Sequence, residues 1–264
     1  MEIELRGRVA IVTGAARGIG AATARRLAAS GAAVLVADID APGGEAAAAA
    51  ITAAGGRAAF QLADVAVEAD IQAMVAAAVT RWGRLDILVS NAHFEVRGSV
   101  EDLSAEDWDR SYAVLVRAAF LGGKHAVPHL RAAGGGSIIH IASVLGRLPT
   151  PRYATYTSAK AAIPALSRQM ALDHGRNGIR VNTITPGEID TDPARAGTPD
   201  RSSEAARCHP LGRTGLPEDI AAAICFLVSD QAGFITGADL LVDGGMSIPW
   251  YTVPVAWAAG GRPS

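Results

Sequence analysis

At 264 residues the chain is long enough for one α/β domain that buries most of the surface its unfolded form exposes. Half of it is hydrophobic and only 5% aromatic, so Ala, Val, Leu and Ile must build the core. A net charge of −2 argues against nucleic acid, which needs a basic patch, and no apolar run reaches the roughly 18 residues of a membrane span.

In chain order, Arg8-Val9-Ala10-Ile11-Val12 is a short apolar strand that runs into Thr13-Gly14-Ala15-Ala16-Arg17-Gly18-Ile19-Gly20 and then an Ala-rich helix from Ala21 to Ser30. Glycines at such a turn permit a tight bend and let a pyrophosphate approach the N–H groups that open the helix. The spacing here is G-x-x-x-G-x-G. A second strand, Ala33 to Ala37, ends at Asp38, which completes a βαβ unit. Strand-like runs then recur at 57–63, 86–90, 136–142, 179–185 and 239–242, with helical patterns between them. This alternation predicts a doubly wound parallel sheet with helices on both faces. No linker divides the chain, so residues 1–247 are expected to form one domain. Residues 192–209 are its least regular part, and 248–264 form a tail with Trp250, Tyr251 and Trp257. Cys208 and Cys225 lack C-x-x-C spacing and read as free thiols of a reducing compartment. The first strand begins almost at once, leaving no room for a signal peptide, so the expectation is a soluble, cytoplasmic protein.

The chemistry is carried by Tyr156-Thr157-Ser158-Ala159-Lys160. On a helix, positions i and i+4 share a face, so the ammonium sits beside the phenol. A free phenol titrates near ~10 and is a poor base at neutral pH; a fixed cation favours phenolate. Upstream, the run Ser137-Ile138-Ile139-His140-Ile141-Ala142-Ser143 ends with a hydroxyl at the carboxyl end of a strand, where parallel sheets gather their chemistry. Ser143 there can donate to a substrate oxygen while Tyr156 supplies or removes the proton.

Taken in this order, these segments resemble the short-chain dehydrogenase/reductase family over nearly the whole chain. The resemblance implies a Rossmann-type fold and a catalytic Ser143, Tyr156 and Lys160. It also implies a cofactor site made of Gly14, Arg17, Gly18, Ile19, Gly20, Asp38, Asp64, Val65 and Asn91. Tyr156, Lys160 and Pro186, Gly187, Ile189 and Thr191 of the P-G-x-x-x-T segment complete that site. Asp64 and Val65 would hold the adenine, and Lys160 the nicotinamide ribose. Asp243-Gly244-Gly245 matches the end of the last strand. Residues 192–209 would be a lid, and the long helices Ala105 to Arg131 and Ala154 to Gly175 would assemble a homotetramer. Asp38 favours NAD over NADP by repelling a 2′-phosphate, against the counter-signal of Arg17. No metal is expected.

The chain departs from the family pattern at three places. Leu115 stands where a catalytic Asn usually holds a water next to the Lys, and it offers neither donor nor acceptor. Two readings follow: an enzyme whose relay uses other groups, or a nonenzymatic NAD-binding scaffold or sensor. The first is preferred because Ser143, Tyr156 and Lys160 are all present. His93 replaces the Gly of N-A-G, and Pro164 lies four residues after Lys160, predicting a bend or an opened turn. His93, Glu95, Arg147 and Glu188 are the candidate substrate contacts, with Arg97 and Arg152 beside them. A carboxylate against an apolar ligand would be costly, so the expected substrate is a small polar secondary alcohol such as a sugar or polyol.

Overall fold

The structure is a computed structural model that describes residues 3–191 and 204–248. Its strands are β1 (Val9–Thr13), β2 (Ala33–Asp38), β3 (Arg57–Leu62), β4 (Ile87–Ser90), β5 (Gly136–Ile141), β6 (Ile179–Pro186) and β7 (Asp239–Val242). They form one parallel sheet in the order β3-β2-β1-β4-β5-β6-β7. The helices are α1 (Gly18–Ala29), α2 (Ala41–Ala53), α3 (Glu68–Trp82), α4 (Ala105–Tyr112), α5 (Ala118–Ala132), α6 (Ala154–His174), α7 (Glu204–Arg207) and α8 (Pro217–Val228).

Side-chain alternation sends Ala10, Val12, Val34, Val36, Val89 and Ile139 into a core shared with α1, α2 and α8. Val9, Ile11, Leu35, Leu88 and Ile138 face the opposite core, shared with α3, α5 and α6. Covering both faces explains why the central strands read as unbroken apolar runs. Several helix starts are written in the sequence. Ser104 accepts the Asp107 N–H at 3.0 Å to open α4, and Asp40 accepts from Gly43 at 3.1 Å to open α2. Among the described residues no helix is long and apolar enough to cross a membrane.

Strand order reverses at β1 and β4, and their carboxyl ends flank the crevice where ligands bind in such sheets. Asp86 anchors this pair from below. It is 1% exposed, accepts the Val9 N–H at 2.9 Å and binds Arg84 at 2.7 Å and Arg8 at 3.4 Å.

Two helical expectations are modified. The long stretch from Ala105 is not uniform, because a π turn at Ala113–Arg117 joins α4 to α5 and places Leu115 in its middle. Residues 154–174 stay helical through Pro164, so no turn opens beyond Lys160. The proline removes one ladder bond, to the Lys160 carbonyl. Gly146 packs against that stretch of backbone, where a Cβ would lie 2.9 Å from the Ala161 nitrogen. Most of the expected lid, and all of the tail beyond Ile248, lie outside the described residues.

Asp86→Ala leaves the buried Val9 N–H without its acceptor, while both arginines, being partly exposed, can be rehydrated. The expected loss is about 1–3 kcal/mol in urea unfolding. An unchanged midpoint would show that the strand pair does not depend on this anchor.

Candidate active site

The glycine turn is locked to the end of β4 by hydrogen bonds. Thr13 Oγ1 accepts the N–H groups of Asn91 at 3.0 Å and Ala92 at 3.2 Å, and the Asn91 amide donates to the carbonyls of Thr13 and Gly14, both at 3.0 Å. The close approach explains two glycines. Gly14 adopts φ 63°, and a Cβ there would fall 2.8 Å from the Ala92 Cα. A Cβ on Gly20 would fall 2.1 Å from the Gly14 carbonyl oxygen. Arg17 sits at the N-cap of α1 without a side-chain cap, which leaves N–H groups of the first turn, at Gly18, Ile19 and Gly20, open to an anion. These features fit the pyrophosphate of a dinucleotide.

The remaining cofactor candidates line the same rim. Asp38 accepts the N–H groups of Ala16 at 2.8 Å and Asp40 at 3.0 Å, which fixes its carboxylate at the end of β2 and leaves lone pairs for ribose hydroxyls. Asp64 accepts from the Ala66 N–H at 2.9 Å and from Arg110 at 3.0 Å, with Val65 buried beside it. Pro186 ends β6, and a Cβ on Gly187 would meet the Asp243 Cα at 2.9 Å. Ile189 forms an isolated bridge with Gly215, and Thr191 lies against Gly18 across the crevice.

Ser143, Tyr156 and Lys160 converge at the carboxyl end of β5. Ser143 opens a 3₁₀ turn at Val144–Gly146, and its hydroxyl accepts from the Leu145 N–H at 3.2 Å. The same side chain lies near enough to the Tyr156 phenol to favour its ionised form. Lys160 is 4% exposed, donates to the Ile141 carbonyl at 2.7 Å, and holds Nζ 5.6 Å from the centre of the Tyr156 ring. Burial dominates both groups. It pushes Tyr156 up to about 12, against the lowering effect of Ser143, and pushes Lys160 down to about 8. The expectation that the ammonium brings the phenol down toward neutrality is therefore not met here: desolvation raises the phenol, and the group that opposes it is Ser143 rather than Lys160.

The loop after β4 carries His93, Glu95 and Arg97 to the mouth of this site. The His93 ring meets Tyr156 edge-on at 5.4 Å, and its Nε2 stands 3.9 Å from Glu95. Burial and the Lys160 charge push His93 down to about 4, so it is neutral at physiological pH. Glu188 is exposed on the opposite side, and its charge, with that of Glu95, raises Tyr156. Arg147 is turned away, paired with Asp239 on β7, and Arg152 is paired with Asp102 at 3.1 Å. Tyr153 was not singled out by the sequence. It packs edge-on against Tyr156 at 6.1 Å under the Arg97 guanidinium, from the N-cap position of α6, where no helix-face spacing discloses it. Leu115 is 4% exposed and offers the site no polar atom. Among the described residues no His, Cys, Asp and Glu cluster could hold a metal.

This arrangement, a dinucleotide cradle facing a Ser, Tyr and Lys cluster, agrees with the comparisons. A family model described as "Enoyl-(Acyl carrier protein) reductase" matches residues 14–247. The chain is 44% identical over 241 residues to cis-4-hydroxycyclohexanecarboxylate dehydrogenase of Sinomonas cyclohexanicum, covering 90% of this chain and 96% of that one. It is 42% identical over 248 residues to 2,5-dichloro-2,5-cyclohexadiene-1,4-diol dehydrogenase of Sphingobium indicum, covering 94% and 99%. A solved structure of a mutant Serratia marcescens short-chain dehydrogenase/reductase superposes with a TM-score of 0.85 at 42% identity, covering 92% of this chain and 99% of that one. The chain belongs to the short-chain dehydrogenase/reductase family, whose dehydrogenases use a nicotinamide cofactor. It is an oxidoreductase of that family.

The Lys160 shift has a stability consequence of fixed sign. Between pH 8 and its ordinary value of 10.5, the unfolded chain holds a proton that the folded protein has released, so stability rises with pH across that window. The gain is on the order of 3 kcal/mol. Lys160→Met should lack it when thermal midpoints of the two proteins, without cofactor, are compared across the window. An identical rise in both proteins would assign it elsewhere.

Proposed function

We propose that the protein is an NAD-dependent dehydrogenase interconverting a small polar secondary alcohol and its ketone. The observation that carries this reading is the convergence of the Ser143 hydroxyl on the Tyr156 phenol, with the Lys160 ammonium beside it, at the crevice that the glycine turn lines. NAD, when bound, supplies the hydride acceptor. Ser143 donates a hydrogen bond to the substrate oxygen. Tyr156 takes the hydroxyl proton during oxidation and returns it during reduction. The similarity to named dehydrogenases does not favour the scaffold reading that Leu115 raised.

The two shifts set the pH dependence. Oxidation needs phenolate beside ammonium. With Tyr156 at about 12 and Lys160 at about 8, that state is a minor form carrying one proton fewer than the neutral-pH protein. Its population climbs about tenfold per pH unit and levels off once Lys160 titrates. The expected kcat/KM for oxidation therefore rises to a plateau near pH 8. A profile that is flat from pH 6 to 8 would contradict it.

Asp38 supports NAD, because its carboxylate is already fixed at the end of β2 by two main-chain donors. Comparing kcat/KM for the two cofactors should show NAD preferred, with Asp38→Ala narrowing the gap. A preference for NADP would overturn the proposal. The polar substrate is supported by the rim of His93, Glu95, Tyr153 and Glu188. Polyols, sugars and hydroxylated rings should outpace long-chain and steroid alcohols, and Glu188→Leu should cost about tenfold on the polar set. A faster hydrophobic set would reject this substrate class.

A cytoplasmic homotetramer completes the proposal. Support comes from exposed Phe234 and Leu172 and from the apolar cleft where Tyr112, Val116 and Phe120 meet Leu166 of α6. Light scattering at micromolar concentration should give four subunits; a monomer mass would contradict assembly.

A further inference from the structure

Beside Lys160 lies a small, narrow cavity that the proposed reaction does not use. Its walls are mostly apolar, from Ile71 and Met74 of α3, Leu115 of the π turn and Ala118, Ala119 and Gly122 of α5. Ser90, His140 and Lys160 supply polar groups on the remaining side. The volume open to a water centre is about 10 Å³, close to the roughly 10–15 Å³ at which one molecule fits. Ser90 and His140 are register partners on β4 and β5, so both side chains leave the sheet on the same face.

The hydrogen bonds around Ser167 assign a tautomer to His140. The Ser167 hydroxyl has one proton, which it donates to the Ile163 carbonyl at 3.0 Å. It therefore accepts from both of its other neighbours, Thr183 Oγ1 and His140 Nδ1, each at 2.8 Å. With the Ser167 proton on the Ile163 carbonyl, His140 carries its own proton on Nδ1, and Nε2 is left as a bare acceptor. His140 is 0% exposed, and no protein group among the described residues bonds that nitrogen. Burial and the Lys160 charge push the ring down to about 4, which keeps Nε2 unprotonated at working pH. An unpaired acceptor at such depth is costly, and Lys160 has two protons beyond the one given to Ile141.

We propose that His140 is a positioning residue for Lys160: its Nε2 anchors one buried water in this cavity, and the Lys160 ammonium donates to that water. The role rests on the reading of Tyr156 and Lys160 as the proton-transfer pair. It meets the need left by Leu115, since the water is held from β5 rather than from the helix opposite. A bonded water stabilises the charged lysine and so the phenolate beside it. The titratable groups facing this pair are His140 on β5, Tyr153 just before α6, His93 and Glu95 after β4, and Glu188 after β6. The cavity walls from α3, α5 and the π turn contribute none.

The test combines crystallography with a pH profile. Crystals of the wild-type protein should show one water within hydrogen-bond distance of His140 Nε2 and Lys160 Nζ. His140→Phe should lack it, and His140→Gln, which keeps an acceptor, should retain it. In oxidation assays with whichever secondary alcohol the protein turns over, His140→Phe should move the limb assigned to Lys160 down by about one pH unit. The plateau should fall about tenfold, with the rate below the limb unchanged. His140→Gln should restore the limb. A loss of equal size at every pH would mark a merely structural role and overturn the proposal. So would a wild-type crystal with Nε2 facing dry space or bonded to protein, which decides the matter even if His140→Phe fails to fold. The density is read without turnover, so the failure of the dehydrogenase reading would be seen separately.

Discussion

The burial of Lys160 is the constraint on which the site depends. A lysine ammonium removed from water is stable only with partners, and Nζ finds one in the carbonyl of Ile141, the last residue of β5. That bond stitches α6 to the sheet. Through α6 it fixes Tyr156, one helical turn earlier, above the strand end that presents Ser143. The same burial lowers the affinity of Lys160 for its proton and raises the Tyr156 phenol, so phenolate beside ammonium is a minor form whose share is set by these two opposed shifts.

The cofactor side is rigid for a different reason. Thr13 and Asn91 bind the ends of β1 and β4 into one hydrogen-bonded knot, with a glycine at each point where a side chain would collide. Asp86 holds the opposite end of the same strand pair. A crevice clamped at both ends needs little reorganisation to accept a ligand, which is the setting in which fixed dipoles act most strongly.

Much of this was legible in the sequence because the determining signals are local. Alternating apolar runs and Ala-rich helices gave strands within about a residue of those observed, the usual uncertainty at element ends. Positions four apart placed Lys160 beside Tyr156. The features that escaped are those set by tertiary contact. Nothing around Leu115 announces the π turn at Ala113–Arg117. Pro164 signals a broken helix, yet the helix persists because a proline removes only one bond and Gly146 leaves room at that carbonyl. Arg147 was a candidate substrate contact on position alone; its partner Asp239 is 92 residues away in sequence. The Tyr156 shift could not be read either, because the spacing reports the neighbouring charge but not the depth of burial.

The central claim is that the Tyr156 hydroxyl is needed for proton transfer far more than for holding the cofactor, which the glycine cradle mainly captures. Tyr156→Phe separates the two directly. NAD affinity should be measured by fluorescence and hydride transfer by single turnover with an accepted alcohol. Affinity within about twofold of wild type, with transfer slowed by about 10²–10⁴-fold, is the expected result. Transfer that survives the loss of the hydroxyl, at unchanged affinity, would contradict the account.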